Sequence, residues 1–400
     1  MSQGNARHRR SSGRGGGGSG FRRWVGGLGP RQRIGLLAGA AVVVAAVAVV
    51  LVVILAGGST KGASTSSSTT TTSGSGSTST QTSTTRPHPV VSSKICPLTG
   101  RAAPGDTAPQ HPALAVKIGN DPASRPQSGL DQADIVYEEM AEGGITRYMA
   151  VYQCQSAPLI GPIRSVRWVD WHILEQYGHA ILAYSGGITP WTIDAASLPW
   201  IYNANGSNYP TANAFYRYSS STPPASLGAP YNYYSSTSAL WKLFPGSKSL
   251  PPVMFQFSTK VPTGATHVVS ASIPFSGASP VVWQWSQADR QWLRFYNTQP
   301  DVDPAGHQLH ATNVVIQMVI TQKGPYNESG PDSQDVESIT TGTGTAYVLR
   351  HGVMLKGTWS RPTGLNITRF SLPNGKPITL EPGTTWVEVV PDSVAVSFTK

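Results

Sequence analysis

Residues Ile34 to Ala56 form an unbroken run of 23 residues without a charge, dominated by Ala, Val and Leu. As a helix rising about 1.5 Å per residue it spans about 34 Å, and a bilayer core is about 30 Å thick. The run predicts a transmembrane helix. A cleaved signal peptide is the alternative, but the apolar part of such a peptide is about 7–15 residues and starts nearer the N-terminus, which favours an uncleaved anchor. Eight arginines from Arg7 to Arg33 precede the run, and only Lys61 follows it closely. By the bias of positive charge toward the cytoplasm, residues 1–33 are a basic cytoplasmic tail and the C-terminal bulk lies outside the cell membrane. In Ser59–Thr85, 24 of 27 residues are Ser, Thr or Gly, too little apolar area to offset chain entropy, so 57–95 reads as a disordered linker.

What can fold therefore begins near residue 96. The chain carries 30 Lys plus Arg and 20 Asp plus Glu, but twelve of the bases precede the first acid, Asp106. The other 18 bases face all 20 acids, so the basic pI is local. No basic stripe interleaved with aromatics is present, which excludes nucleic acid as a partner. Gly and Pro are abundant and charged residues sparse, a composition of strands and loops.

Between 96 and 260 the periodicity alternates. Leu114–Ile118, Ile135–Met140, Arg147–Gln153 and Ala180–Tyr184 are short apolar runs with strand character, and Glu142-Gly143-Gly144 permits a hairpin between the second and third. Val166, Val169, Ile173 and Tyr177 recur at helical spacing, predicting a helix over 165–177 capped by Ser165 and ended by Gly178. Thr189-Pro190 starts another helix, as N-cap and first helical residue. From 265 to 400 the signal is almost wholly strand, with His351-Gly352 and Asn374-Gly375 as turns. The expected class is α+β, a mixed α/β N-terminal half (96–260) followed by a β-rich antiparallel half (265–400).

Arg164 and Arg167, three apart at a helix start with Trp171 a turn on, make a candidate anion site in which Ser165 and Arg147 also take part. Glu138, Glu139 and Glu142 lie across the hairpin. Two readings stand open: these acids and arginines neutralise one another in a partly buried network, or they line a cleft in which Glu138 or Glu142 acts as acid or base on a bound ligand. Cys96 and Cys154 are the only cysteines, and an even count outside the cytoplasm favours a disulfide over two buried thiols. Trp283, Trp285 and Trp292 share the spacing of one strand face, which favours packing over a sugar platform. His307, His310, Asp301 and Asp303 superficially suggest a metal, but they lie in a loop and no cluster completes a geometry. The expectation is no metal.

Arg125-Pro-Gln-Ser-Gly-Leu130, Ala133-Asp-Ile-Val-Tyr-Glu138, Ala141-Glu-Gly-Gly-Ile-Thr-Arg147 and Gly161-Pro-Ile-Arg-Ser-Val-Arg167 closely resemble the YerB-like family of bacterial surface lipoproteins, named mainly for a domain of unknown function. Cys96-Pro-Leu-Thr-Gly100, Ala229-Pro-Tyr-Asn-Tyr-Tyr234, Gly357–Arg361 and Pro382–Pro391 are similar to further blocks, so the resemblance covers about 96–390. It implies kinship without a reaction. The chain departs from the family in having no cysteine before Cys96 to carry a lipid, so a spanning helix replaces that anchor. The family's opening motif usually has Asn at position 96, and position 154 is usually not Cys. Two unusual cysteines together support the bond. Ser185 stands where a histidine is often found beside Gly186-Gly187, against a required catalytic His there.

There is no Gly-x-Ser-x-Gly elbow, His-Glu-x-x-His, phosphate loop or dinucleotide fingerprint, so no nucleotide and no cofactor is expected. The favoured reading is a membrane-anchored, non-enzymatic module binding an anionic wall polymer, peptidoglycan or an envelope protein. The alternative is an envelope glycan hydrolase or transferase.

Overall fold

The computed structural model describes residues 94–218, 227–328 and 333–400. The basic tail, the apolar run 34–56 and the Ser/Thr-rich stretch up to residue 93 lie outside the described residues. Among those described, no helix is long and apolar enough to cross a membrane.

In the N-terminal half the strands are β1 (Ala113–Gly119), β2 (Ile135–Met140), β3 (Thr146–Tyr152), β4 (Ala180–Tyr184) and β5 (Ile201–Asn205), with helices α1 (Trp168–Leu174), α2 (Thr189–Ser197) and α3 (Thr237–Trp241). The C-terminal half supplies β6 (Ser270–Ser276), β7 (Ser279–Ser286), β8 (Gln291–Tyr296), β9 (Asn313–Val319), β10 (Thr321–Asn327), β11 (Gln334–Ser338), β12 (Gly342–Arg350), β13 (Val353–Arg361), β14 (Arg369–Ser371), β15 (Thr385–Pro391) and β16 (Ser397–Thr399). The class is α+β and β-rich, as expected.

Strands of both halves share one mixed sheet, in the order β14-β13-β12-β9-β15-β2-β3-β1-β4-β5. The link is β15, which runs parallel to β9 on one side and to β2 on the other, pairing Ile135–Glu139 with Thr385–Val389. Strands β1, β3, β9 and β15 are buried along their whole length. Such strands are covered on both faces and read as near-continuous apolar runs. The two-residue period then divides their side chains. Ala113, Ala115, Met149, Val151, Val315 and Val387 face α1 and α2, meeting Val169, Trp171, Ile173, Leu174, Trp191 and Ala195. Leu114, Val116, Tyr148, Ala150, Ile316 and Trp386 face a second, antiparallel sheet of β8-β7-β6-β16, meeting Trp283 and Trp292. The result is three layers: helices, mixed sheet, antiparallel sheet. Trp283 and Trp292 are core residues, whereas Trp285 is half-buried.

The predicted hairpin is present, with Gly143 and Gly144 at φ 69° and 72°, where a side chain would be strained. The helix expected over 165–177 is shorter. Arg167 is its N-cap, and Glu175–Tyr177 form a separate 3-10 turn. Ser165 caps nothing because its segment is held by the sheet: the Arg164 N–H donates to the Lys117 carbonyl and the Val166 N–H to the Gly186 carbonyl. The first helical turn is closed by Asp170, whose Oδ2 accepts from the Arg167 N–H at 2.6 Å. Helix α2 begins at Thr189 itself, with Ile188 as N-cap. Cys96 and Cys154 form a disulfide, Cα atoms 5.9 Å apart, tying the opening motif to the end of β3.

Candidate functional site

Glu138 and Glu139 are consecutive in β2 and so point to opposite faces of the sheet. The charged residues of the hairpin are thereby sorted into two separate networks.

Glu138 faces the second sheet. Its Oε2 lies 2.5 Å from Arg294 Nη2 of β8, and its Oε1 accepts from Thr146 Oγ1 at 2.6 Å and Asn120 Nδ2 at 3.2 Å. Arg294 also pairs with Asp301. Glu388, opposite Glu138 in the β2–β15 register, accepts from Trp283 Nε1 at 2.7 Å. Burial, and then the charge of Glu138, push the Glu388 carboxyl well above the carboxylate range. Glu138, Glu388 and Arg294 are all 0 % exposed. This network fastens the two sheets together. Glu138 has no access to solvent, which corrects its reading as an acid or base poised for substrate.

Glu139, Arg147 and Glu142 face the helices. Lys117 Nζ pairs with Glu139 and donates to Asp170 Oδ1 at 2.7 Å. Burial lowers the Lys117 pKa to about 8 against the raising charge of Asp170. Arg167 Nε donates to Glu142 Oε2 at 2.7 Å, and its Nη2 bridges Glu142 Oε1 and Glu328 Oε2, the latter at 2.5 Å. Arg147 pairs with Asp121 at 3.1 Å and Glu142 at 3.6 Å. Burial would raise the Glu142 carboxyl, but the hydrogen bond shared with Glu328 and the charges of Arg167 and Arg147 hold it below the carboxylate range. Burial, then that same shared bond, raise Glu328 to about 7. Trp191 Nε1 donates to Asp335 Oδ2 at 2.6 Å, and burial raises Asp335 to about 6. Arg167 and Arg147 are thus neutralised from within, and Trp171 is buried against Trp191, ring centroids 5.8 Å apart. Neither Arg167 nor Trp171 offers a ligand an open face, which corrects the expected paired site.

Arg164 differs. It is half-buried, no ion pair or hydrogen bond of its side chain is present among the described residues, and its Nε is buried without a partner. Its guanidinium lies 4.9 Å from the ring centroid of Tyr231. Beside it, Tyr216–Arg217 and Tyr233–Tyr234 form a short ribbon whose Tyr233 carbonyl accepts from the Ile163 N–H at 2.7 Å. Arg217 lies over Tyr233 at 4.8 Å, and Tyr209 nearby in sequence is 85 % exposed. Gly161 permits this contact: a Cβ there would meet the Tyr234 ring at 2.5 Å and the Tyr233 carbonyl at 2.9 Å. The sequence reading missed Tyr231, Arg217 and Tyr233. The signal was present in the Ala229–Tyr234 block, but nothing local ties it to Arg164.

Of the loop residues considered for a metal, Asp301 belongs to the Arg294 network and Asp303 Oδ2 contacts His307 Nδ1 at 3.1 Å. No group of three or more metal-binding side chains occurs among the described residues.

Two family models match the chain: the N-terminal domain of the protein of unknown function DUF3048 over residues 98–249, and its C-terminal domain over 271–387. The Bacillus subtilis (strain 168) protein YerB, named as a candidate lipoprotein, is 26 % identical over 304 residues, 76 % of this chain and 88 % of YerB. The crystal structure of Bacillus subtilis YerB superposes with a TM-score of 0.61 at 22 % identity, over 76 % of this chain and 99 % of that one. That likeness shows a shared fold.

Proposed function

The chain belongs to the DUF3048 family, and on that premise we propose that it is a membrane-tethered extracytoplasmic module that binds an acidic component of the cell envelope through Arg164 and the tyrosines beside it. The name of YerB supports a membrane-associated domain outside the cytoplasm. In this chain the anchor would be the helix 34–56, with the N-terminus cytoplasmic and a single pass. The observation that carries the reading is Arg164, a half-buried residue whose guanidinium has no carboxylate among the described residues while Arg147 and Arg167 each have two. A phosphate or carboxylate supplies the missing charge-assisted bonds, and the Tyr231 ring beside it is a flat surface on which a sugar ring stacks. An anionic wall polymer or peptidoglycan has both features.

Purified wall incubated with the fragment Thr84–Lys400, a compact unit by itself, tests this. Arg164→Ala should weaken retention at least about tenfold, the loss of one charge-assisted contact worth about 1.5–3 kcal/mol, and Tyr231→Ala should weaken it less. Retention equal to wild type in Arg164→Ala would remove the site. New reducing ends released from wall glycan, abolished by Glu142→Gln, would replace this reading with a hydrolase.

A further inference from the structure

Among the described residues, strands β10 and β11 pair only with each other, forming a ribbon outside both sheets. It lies on the helix face. Besides the packing of strand β11 against α1 and the 142–144 turn, three side-chain contacts hold the ribbon there: Glu328 to Arg167, Asp335 to Trp191, and Tyr326 edge-on to Trp191 with centroids 4.9 Å apart. Gly324 leaves room for this, since a Cβ would meet Asp335 Cβ and Oδ2 at 3.1 Å. Two of these three contacts therefore depend on carboxyl groups.

One of them is in conflict. Glu142 already satisfies Arg167 through two hydrogen bonds, yet Glu328 brings a second carboxyl to the same Nη2. Two carboxylates so close repel unless a proton lies between them. We propose that the ribbon is a proton-operated clasp, shut over Trp191 and Arg167 while Glu142 and Glu328 share a proton, and released when both are charged. Arg167, Glu142 and Arg147 are the charged groups that face Glu328; Trp191, Arg167 and Glu142 face Asp335. Glu328 and Asp335 both bind a proton more tightly in the shut clasp than in water. The clasp is therefore most stable below the ordinary carboxylate range, and that stability is lost as pH rises through about 6 and then about 7. Release would uncover the Trp191 indole, with Arg167 still held by Glu142.

Hydrogen exchange of the Thr84–Lys400 fragment at pH 5.5 and pH 8.5 tests the clasp. After correction for intrinsic rates, opening of the β10 and β11 amides should rise at least about tenfold at the higher pH, the equivalent of one unit of pKa difference. Amides of β1 and β9 should not change. Glu328→Gln should flatten most of the pH slope, and Glu328→Gln with Asp335→Asn all of it. The Trp191 indole proton gives an independent readout, because its bond to Asp335 should weaken over the same range. Ribbon exchange equal at the two pH values, or a full slope in the double variant, overturns the proposal. Neither outcome bears on Arg164.

Discussion

Arg294→Ala should destabilise the Thr84–Lys400 fragment by about 3–5 kcal/mol, the range observed when one partner is removed from a buried ion pair. The arginine is fully enclosed and holds Glu138 and Asp301 at once. Its guanidinium also lies over the rings of Tyr148, Tyr296 and Trp386, at 5.4, 4.6 and 4.9 Å, and truncation removes these contacts too. Truncation leaves the buried Glu138 and Asp301 without the guanidinium that pairs with both. Urea denaturation gives the measurement. Arg164→Ala, which removes a guanidinium with no carboxylate partner among the described residues, serves as control and should shift stability by no more than about 0.5 kcal/mol. Equal midpoints for the two variants would show that the sheets are held by apolar contact alone.

Loss of the Cys96–Cys154 bond is the other large effect. The two residues are 58 apart in sequence, and closing a loop of that length removes about 4 kcal/mol of unfolded-state entropy in the chain-entropy model. Cys96 is buried with Ala103 and Ala108, so the bond also secures the segment that leads from the linker into β1. Cys96→Ala/Cys154→Ala should lower the urea midpoint by an amount equivalent to about 2–4 kcal/mol, and a reductant should reproduce the shift in wild type. A midpoint insensitive to both would mean that the opening segment is fastened by its backbone bonds alone, such as that from the Cys96 N–H to the Arg101 carbonyl at 2.8 Å.

Local pattern was legible. The apolar runs became β1 to β4 and the C-terminal strands, and the double glycine made its turn. The helix at 168 was found with its start misplaced, because the backbone of Arg164–Val166 bonds to strands remote in sequence. The candidate site was legible by residue type and opaque by grouping. Glu138, Glu142, Arg147 and Arg167 are ion-paired, as the neutralising reading expected, but in two networks on opposite faces. Arg294, Glu328, Asp335 and Glu388 lie about 150 to 250 residues further on, and no periodicity connects them to the hairpin.

Sequence alone determined that Leu114–Ile118, Ile135–Met140, Arg147–Gln153 and Ala180–Tyr184 have strand character, that the C-terminal half is strand-rich, and that two cysteines outside a predicted membrane helix should pair, because each of these follows from residue type and near neighbours. Only the tertiary structure decided that β15 lies between β2 and β9, that Arg167 is closed by carboxylates and that Arg164 has no carboxylate partner among the described residues. Strand order and ion-pair choice are set by contacts between distant parts of the chain, whose free energies depend on burial and geometry that arise only once the layers have packed.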